Sequence, residues 1–200
     1  MSKIKINENF FKKINTQETA YILGLLYADG WIENNHTFGI ELLEHDKDIL
    51  ERIKSAMHSE QKLYPRIQKI NNKLKYVFRV HRSCMVQDLI CLGCTERKSL
   101  TLKFPNKNIV PDELMSHFIR GYFDGDGCVS YKKKYRKTIN ATIYIPIVSI
   151  VGTEAFLQEL RNKSNLICLF QSQQNLWNLY GSGKRQKIFF ITFIITLLFI

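Results

Sequence analysis

The 200-residue sequence lacks several features that would assign it to common classes of protein. Its five cysteines are an odd number at irregular spacing, which is not typical of a disulfide framework. Cys91-x-x-Cys94 has no second Cys/His pair at a matching spacing, so we do not expect a zinc site. No apolar signal segment follows Met1, and the apolar run 188–200 has thirteen residues, fewer than the roughly 20 that span a bilayer. We therefore expect an intracellular protein, cytoplasmic in bacteria or phage or else organellar, and neither secreted nor membrane-bound.

Acidic residues are scarce relative to basic ones. Asp and Glu number 18 against 29 Lys and Arg, which gives a formal net charge of +11. A positive excess of this size is typical of proteins that bind polyanions, although it does not distinguish DNA from RNA. Hydrophobic residues make up 45% of the chain, enough for the core of one compact domain or of two fused half-domains.

A repeated motif is the most informative feature. The segments ILGLLYADG and IRGYFDGDG share the pattern Gly-x-x-x-x-Asp-Gly, and each has helical periodicity. Two small residues lie four apart in each copy, Gly24 and Ala28 in the first and Gly121 and Gly125 in the second, and so share a helix face. Two such faces permit close approach of backbones, which predicts that the two helices pack on each other.

Packing of these helices would bring the last aspartates of the motifs, Asp29 and Asp126, to the same end. Each is followed by a glycine suited to a left-handed helix cap. The two carboxylates would repel each other and the negative ends of the helix dipoles, and a hard divalent cation would offset that cost. We therefore predict that Asp29 and Asp126 bind Mg²⁺, with positions left for water and phosphate oxygens.

The strand-like segments of the sequence suggest a surface for a nucleic acid. In residues 74–82, apolar residues alternate with Lys75, Arg79 and His81, so one face is core and the other is cationic. An antiparallel sheet with such a face fits the major groove of DNA. The predicted contacts are Arg66, Gln68, Lys73, Lys75, Arg79, Lys132, Lys134, Arg136 and Lys137. Each of them is equally consistent with an ordinary solvated sheet face.

The paired motifs resemble those of the LAGLIDADG homing endonucleases, specifically the single-chain kind that carries both copies, and the stretches LGCTERKSLT and VGTEAF are similar to recurrent segments of that family. The resemblance implies an α+β fold of two pseudo-symmetric αββαββα halves, residues 1–105 and 106–200, that form a DNA-binding saddle of antiparallel sheets. It also implies a monomer that uses Mg²⁺ to cleave both strands of double-stranded DNA across a compressed minor groove. The target would be long and asymmetric, and the biological role would be mobility of an intron or intein.

Carried over residue by residue, the resemblance implies that Asp29 and Asp126 are the catalytic, metal-binding acids. The earlier aspartate of the second motif, Asp124, is interpreted as a helix-end residue. Lys98 resembles the family's basic residue that approaches the active site, where an ammonium group would stabilise developing negative charge or order the attacking water. The alternatives are a phosphate clamp outside the site and a role for the neighbouring Arg97.

Residues 186–200 depart from the family's pattern. An amphipathic helix followed by a basic segment is expected there, whereas the run 188–200 predicts a helix that is apolar all round. We interpret it as the product of a shifted reading frame or an early truncation, with a buried terminal segment as the alternative. A missing basic residue in one of two active sites predicts that nicking outlasts double-strand cleavage. An RNA-splicing maturase that binds its host intron RNA, and a catalytically degenerate DNA-binding protein, are the alternative functions.

Overall fold

The computed structural model describes residues 4–164, together with the backbone of 169–171 and 189–194. The α-helices in these ranges are α1 (Gln17–Ala28), α2 (Lys47–Ala56), α3 (Ser83–Cys91), α4 (Met115–Asp126) and α5 (Glu154–Ser164). The strands are β1 (Gly30–Glu33), β2 (Thr37–Leu43), β3 (Tyr64–Ile67), β4 (Leu74–His81), β5 (Gly127–Arg136), β6 (Ala141–Gly152), β7 (Leu169–Gln171) and β8 (Phe189–Ile194). Every strand pairing among them is antiparallel, so the predicted α+β class is confirmed.

The chain divides into two compact units. The first comprises Met1–Lys98 and Pro105–Gly125, and the second comprises Ser99–Phe104 and Asp126–Ile200. The resemblance implied that the whole of 106–200 forms the second half. All residues of α4 except its last, Asp126, lie in the first unit instead. The reason is that α4 packs on α1, the helix of the other motif copy.

Within the first unit, α1 to α3 and the strands between them have the predicted element order αββαββα, with sheet order β1-β2-β4-β3, and α4 follows. Helix α1 begins after Thr16, whose hydroxyl accepts the backbone N–H of Thr19 at 3.1 Å. The hydroxyl of Thr19 accepts the backbone N–H of Thr16 in return, which completes a capping box. Buried side chains of β2 and β4, among them Phe38, Ile40 and Phe78, form the core side of the sheet.

The second unit repeats this sheet, with strand order β5-β6-β8-β7. Its helix α5 is capped by Thr153, because the Thr153 hydroxyl accepts the backbone N–H of Phe156 at 3.2 Å. Phe156 is fully buried, and its ring centroid lies 5.2 Å from that of Phe104. This contact anchors the segment Ser99–Phe104 to the unit with which it is grouped.

The prediction of an apolar helix over 188–200 is wrong for residues 189–194, which form strand β8. This strand pairs with β6 on one side and with β7 on the other. Phe, Ile and Thr favour strands, so the composition of 189–194 suits this pairing. Residues 186–188 and 195–200 of the same prediction lie outside the described residues. Among the helices of the described ranges, none has the length and apolarity needed to cross a membrane.

Candidate functional site

Helices α1 and α4 approach each other through their small residues. A Cβ atom added to Gly24 would lie 2.0 Å from the carbonyl oxygen of Phe118, and one added to Gly121 would lie 2.0 Å from that of Tyr21. Both obstacles are backbone atoms, so any side chain at either glycine would force the helices apart. The rings of Tyr27 and Phe118 close the interface edge to face, with centroids 5.0 Å apart. The glycines are therefore needed for backbone contact between the two motif helices.

Asp29 lies at the end of this interface. It caps the C-terminus of α1, and its backbone N–H donates to the carbonyl of Leu25 at 2.9 Å. A Cβ atom on Gly125 would lie 2.9 Å from Oδ2 of Asp29, so the carboxylate rests against the backbone of α4. Asp126 is the next residue along α4 and the first residue of its stretch in the second unit.

The environment of Asp29 raises the pKa of its carboxyl group. Desolvation by the surrounding protein is the main cause, and the carboxylate of Asp46 adds to it, whereas Lys98 and Lys75 lower the pKa. A carboxylate that keeps its charge in this place needs positive charge nearby. A divalent cation would supply that charge, so the residues present fit the hard metal ion that the motifs imply.

The sequence suggested that the glycines following the two aspartates are left-handed helix caps, and this prediction is wrong. In the described residues Gly93 is the one glycine with positive φ, and Gly30 and Gly127 are instead the first residues of β1 and β5. Gly30 is required for a different reason, since a Cβ atom there would lie 2.5 Å from the carbonyl oxygen of Leu26. The Asp-Gly pair therefore marks a direct passage from helix to strand.

Lys98 supports the turn that carries Asp29. Its side chain is only 8% exposed, and Nζ donates to the carbonyl of Ala28 at 3.1 Å and to the carbonyl of Gly30. These two carbonyls flank Asp29 in the chain. A buried ammonium group engaged by backbone does not fit an exposed phosphate clamp. Arg97, the neighbouring alternative, is exposed.

A cleft of about 350 Å³ opens beside Asp29 in the first unit. Of the predicted DNA contacts, Gln68, Lys73 and Lys75 line it. Asp124 lines it as well and accepts a hydrogen bond of 2.8 Å from the hydroxyl of Tyr21, so its carboxylate has a structural partner. Burial and this hydrogen bond raise the pKa of Tyr21 to about 12. The cleft thus joins the carboxylate of Asp29 to part of the predicted cationic surface.

The sequence did not predict two acids on the outer face of the first sheet. Glu41 accepts from Arg66 at 3.0 Å and lies 3.4 Å from Nζ of Lys75, while Glu33 accepts from Arg79 at 2.6 Å. Ion pairs in contact with solvent, such as that of Glu33 and Arg79, contribute about 0–1 kcal/mol each, so they hold the cations in place but open readily for a stronger anion. The alternation of β2 contained the signal for Glu41, because Phe38, Ile40 and Leu42 of that strand are its core residues.

The predicted contacts of the second unit lie on a ribbon formed by β5 and β6. Beyond its first residue β5 is exposed along its whole length. Lys132, Lys134 and Arg136 alternate along β5 and therefore share one face of the ribbon. Lys137 follows in the short turn at the tip.

No cluster of three or more His, Cys, Asp and Glu side chains suited to a metal ion occurs in the part of the chain that the structure describes. Of the Cys-x-x-Cys pair, Cys91 is exposed and Cys94 is buried.

Known proteins are similar to this chain in sequence. Residues 113–174, which contain α4, β5, β6 and α5, match the family model of the LAGLIDADG-like domain. Two longer proteins contain sequence similar to the chain. One is a probable translation initiation factor IF-2 of Methanocaldococcus jannaschii, 27% identical over 172 residues that cover 84% of this chain and 13% of that protein. The other is the ribonucleoside-diphosphate reductase NrdEB subunit alpha of Bacillus subtilis, 24% identical over 190 residues that cover 88% of this chain and 17% of that protein. The chain thus spans less than a fifth of either relative.

Solved structures show a similar fold. The homing endonuclease I-WcaI bound to its DNA recognition sequence superposes with a TM-score of 0.57 at 15% identity, over 94% of this chain and 80% of that one. I-SmaMI bound to an uncleaved DNA target in the presence of calcium ions gives 0.56 at 13% identity, over 88% and 78%. The LAGLIDADG homing endonuclease I-GzeII in complex with its DNA target gives 0.52 at 14% identity, over 92% and 79%. Residues 113–174 therefore match the LAGLIDADG-like domain in sequence, and the chain has the fold of the LAGLIDADG homing endonucleases, as its two motifs predicted.

Proposed function

We propose that this chain is a site-specific homing endonuclease that hydrolyses both strands of double-stranded DNA with the help of a divalent metal ion. The observation that carries the proposal is the interface of α1 and α4, in which backbone-to-backbone packing fixes two helices that each end in a motif aspartate. A merely structural helix pair would have no need of an acid at the end of each helix, where the dipole disfavours it.

Asp29 and Asp126 would hold the metal ion, for which we propose Mg²⁺. Oxygen ligands from carboxylates suit this ion. The raised pKa of Asp29 means that burial disfavours the charged form of its carboxyl group, and a bound cation would stabilise that form. When bound, the ion would lower the pKa of a coordinated water and offset charge on the phosphate. The protein's own contribution is to hold the two carboxylates on rigid helices.

Lys98 is proposed as a positioning residue. Its two hydrogen bonds to the carbonyls on either side of Asp29 fix the turn between α1 and β1. Its charge also lowers the pKa of Asp29 and so favours the ionised carboxylate. The site therefore depends on Lys98 for the position and for the charge of Asp29.

The outer sheet face of the first unit and the basic face of the ribbon would contact the DNA. Phosphates are stronger partners for Arg66, Lys75 and Arg79 than the carboxylates of Glu33 and Glu41, because a duplex presents a high density of negative charge. The carboxylates keep these cations pre-positioned until DNA arrives. The two sheets differ in sequence, so the target would be asymmetric.

The biological role we propose is mobility of an intron or intein. This proposal is supported by the two relatives that contain similar sequence, an initiation factor and a ribonucleotide reductase subunit, whose names describe unrelated proteins. The similar segment occupies 13% of the first and 17% of the second. A module that inserts itself into host genes would give this distribution.

The test is cleavage of DNA that spans the uninterrupted host-gene insertion site, with Mg²⁺ and separately with Ca²⁺. We expect a Mg²⁺-dependent double-strand cut, which Asp29→Asn or Asp126→Asn abolishes while DNA binding in Ca²⁺ persists. Asp124→Asn is the matched control, since it removes a carboxylate from the same end of α4, and it should still cut. Binding without cutting by the wild-type chain would refute the endonuclease and favour a maturase or a degenerate DNA-binding protein.

A further inference from the structure

The ribbon of β5 and β6 has a second exposed face, opposite to the one that carries Lys132 and Lys134. Side chains on this face come from Tyr131, Lys133 and Tyr135 of β5 and from Tyr144 of β6, which lies directly across from Lys133. We call these four residues the tyrosine face. Its three rings are 69%, 55% and 65% exposed, respectively, which is unusual for large side chains on one surface.

The pairing of β5 with β6 places the three tyrosine rings around Lys133. Tyr144 is opposite Lys133, and Tyr131 and Tyr135 are the residues two positions before and after Lys133. Diagonal neighbours of this kind lie about 7–8 Å apart, near enough for rings of one surface to contact successive groups of a single ligand. The hydroxyl of Tyr135 donates to Oδ1 of Asn140, which fixes the ring nearest the tip.

The charge around the rings selects an anionic ligand. Residues 127–152 contain no Asp or Glu. Of the five cations between 132 and 137, Lys133 lies among the rings, whereas Lys132, Lys134 and Arg136 lie on the opposite face of the ribbon and Lys137 lies in the turn at its tip. An apolar protein partner would bury Lys133 without a counter-charge, and a simple polyanion would make no contact that needs the rings. Rings on both sides of a cation suit a strand that offers flat bases and phosphates together.

We propose that the tyrosine face binds unpaired DNA by stacking its tyrosine rings on the bases. Bases inside a duplex cover one another's flat faces, so only an unpaired strand can stack in this way. DNA is the expected source because the opposite face of the same two strands is the proposed duplex contact. The inference rests on the proposed function only for the choice of DNA as the ligand.

The experiment measures anisotropy of a labelled oligo(dT) of about 12 nucleotides with the full chain in metal-free buffer. We expect wild-type binding, a loss on the order of tenfold for each ring removed by Tyr131→Ala and Tyr144→Ala, and retained affinity for Tyr131→Phe and Tyr144→Phe. Ile139→Ala is the matched control, because Ile139 is an exposed apolar side chain near the ribbon tip that is not aromatic. Its affinity should stay within about twofold of wild type.

Four results would overturn the proposal: no oligo(dT) binding by the wild type, equal affinity of the alanine variants, a loss in the phenylalanine variants as large as in the alanine variants, or a tenfold preference for oligo(U), which would make the ligand RNA. Sedimentation of the same variants detects a second copy of the chain as the occupant, since alanine would then lower self-association and leave oligo(dT) affinity unchanged. Duplex cleavage assayed in parallel separates the two proposals. Duplex cutting without oligo(dT) binding refutes only the tyrosine face, and tyrosine-dependent binding without cutting refutes only the endonuclease.

Discussion

Gly121→Ala tests whether backbone contact between α1 and α4 holds the site together. The added Cβ would lie 2.0 Å from the carbonyl oxygen of Tyr21, where ordinary contact begins at 3.4 Å, so the helices would have to separate by about 1.4 Å. Helix propensity alone predicts that alanine stabilises an interior helix position by about 1 kcal/mol. Overpacking costs about 1–3 kcal/mol, and the upper end applies here because the obstacle is backbone and cannot rotate away. The expected result is a net loss of about 2 kcal/mol.

Urea unfolding followed by circular dichroism measures this loss, and thermal unfolding should show it as a fall in Tm of roughly 4–8 °C. Ser116→Ala is the matched control, because Ser116 is exposed on the same helix and alanine there adds no volume against α1. The control should be as stable as the wild type or slightly more so. A Gly121→Ala chain that equals or exceeds the wild type in stability would mean that propensity dominates, and the close interface would be refuted.

Four other changes have defined outcomes. Burial raises the pKa of Asp29, so the folded chain binds that proton more tightly than the unfolded chain and loses stability as pH rises through the interval between the two values. Asp29→Asn should therefore raise the urea midpoint in metal-free buffer at neutral pH, and the gap should close as pH falls toward the ordinary aspartate value of about 3.9; a gap that is constant with pH contradicts this. Lys98→Met should lower the urea midpoint and cleavage together, whereas lost cleavage at an unchanged midpoint would show that Lys98 is not a positioning residue. Glu41→Gln should tighten DNA binding and steepen the slope of log K against log salt by about one for each cation released, while Glu51→Gln on α2 should change neither; equal behaviour of the two variants would refute the pre-positioning role. Burial raises the pKa of Cys94 to about 12, so mass spectrometry after iodoacetamide treatment at pH 8 should find this thiol unmodified in the folded chain, and rapid labelling would contradict its burial.

Local signals in the sequence were sufficient to predict most of the fold. Thr16 and Thr153 are capping residues whose hydrogen bonds depend only on the next three residues, and in β4 the alternating apolar residues Phe78 and Val80 are the buried ones. The prediction for 189–194 failed because five of its six residues are apolar and show no periodicity. A segment with no periodicity has the same pattern as a strand and as a buried helix, and only its partners β6 and β7 decide between them.

The site was predictable where one residue type has one physical use. Gly24 and Gly121 are four residues from other small residues, and a close helix contact is the usual reason for that spacing. Gly30 was misread because an Asp-Gly pair has two uses, a left-handed cap and a close approach, that look alike in sequence. Glu33 and Glu41 were missed because their partners are on other segments, so the ion pairs depend on strand register.

The contact between α1 and α4 also constrains the order of events during protein synthesis. The two helices are about 90 residues apart in the chain, and closing a loop of that length costs about 4 kcal/mol of chain entropy. The first unit includes Pro105–Gly125, so it cannot close until α4 has left the ribosome. Until then the small-residue face of α1 is uncovered, and nascent chains on one messenger RNA present it to one another. Because the second motif is on the same polypeptide, α4 of the same chain can cover α1, and a motif helix of a neighbouring chain is not needed.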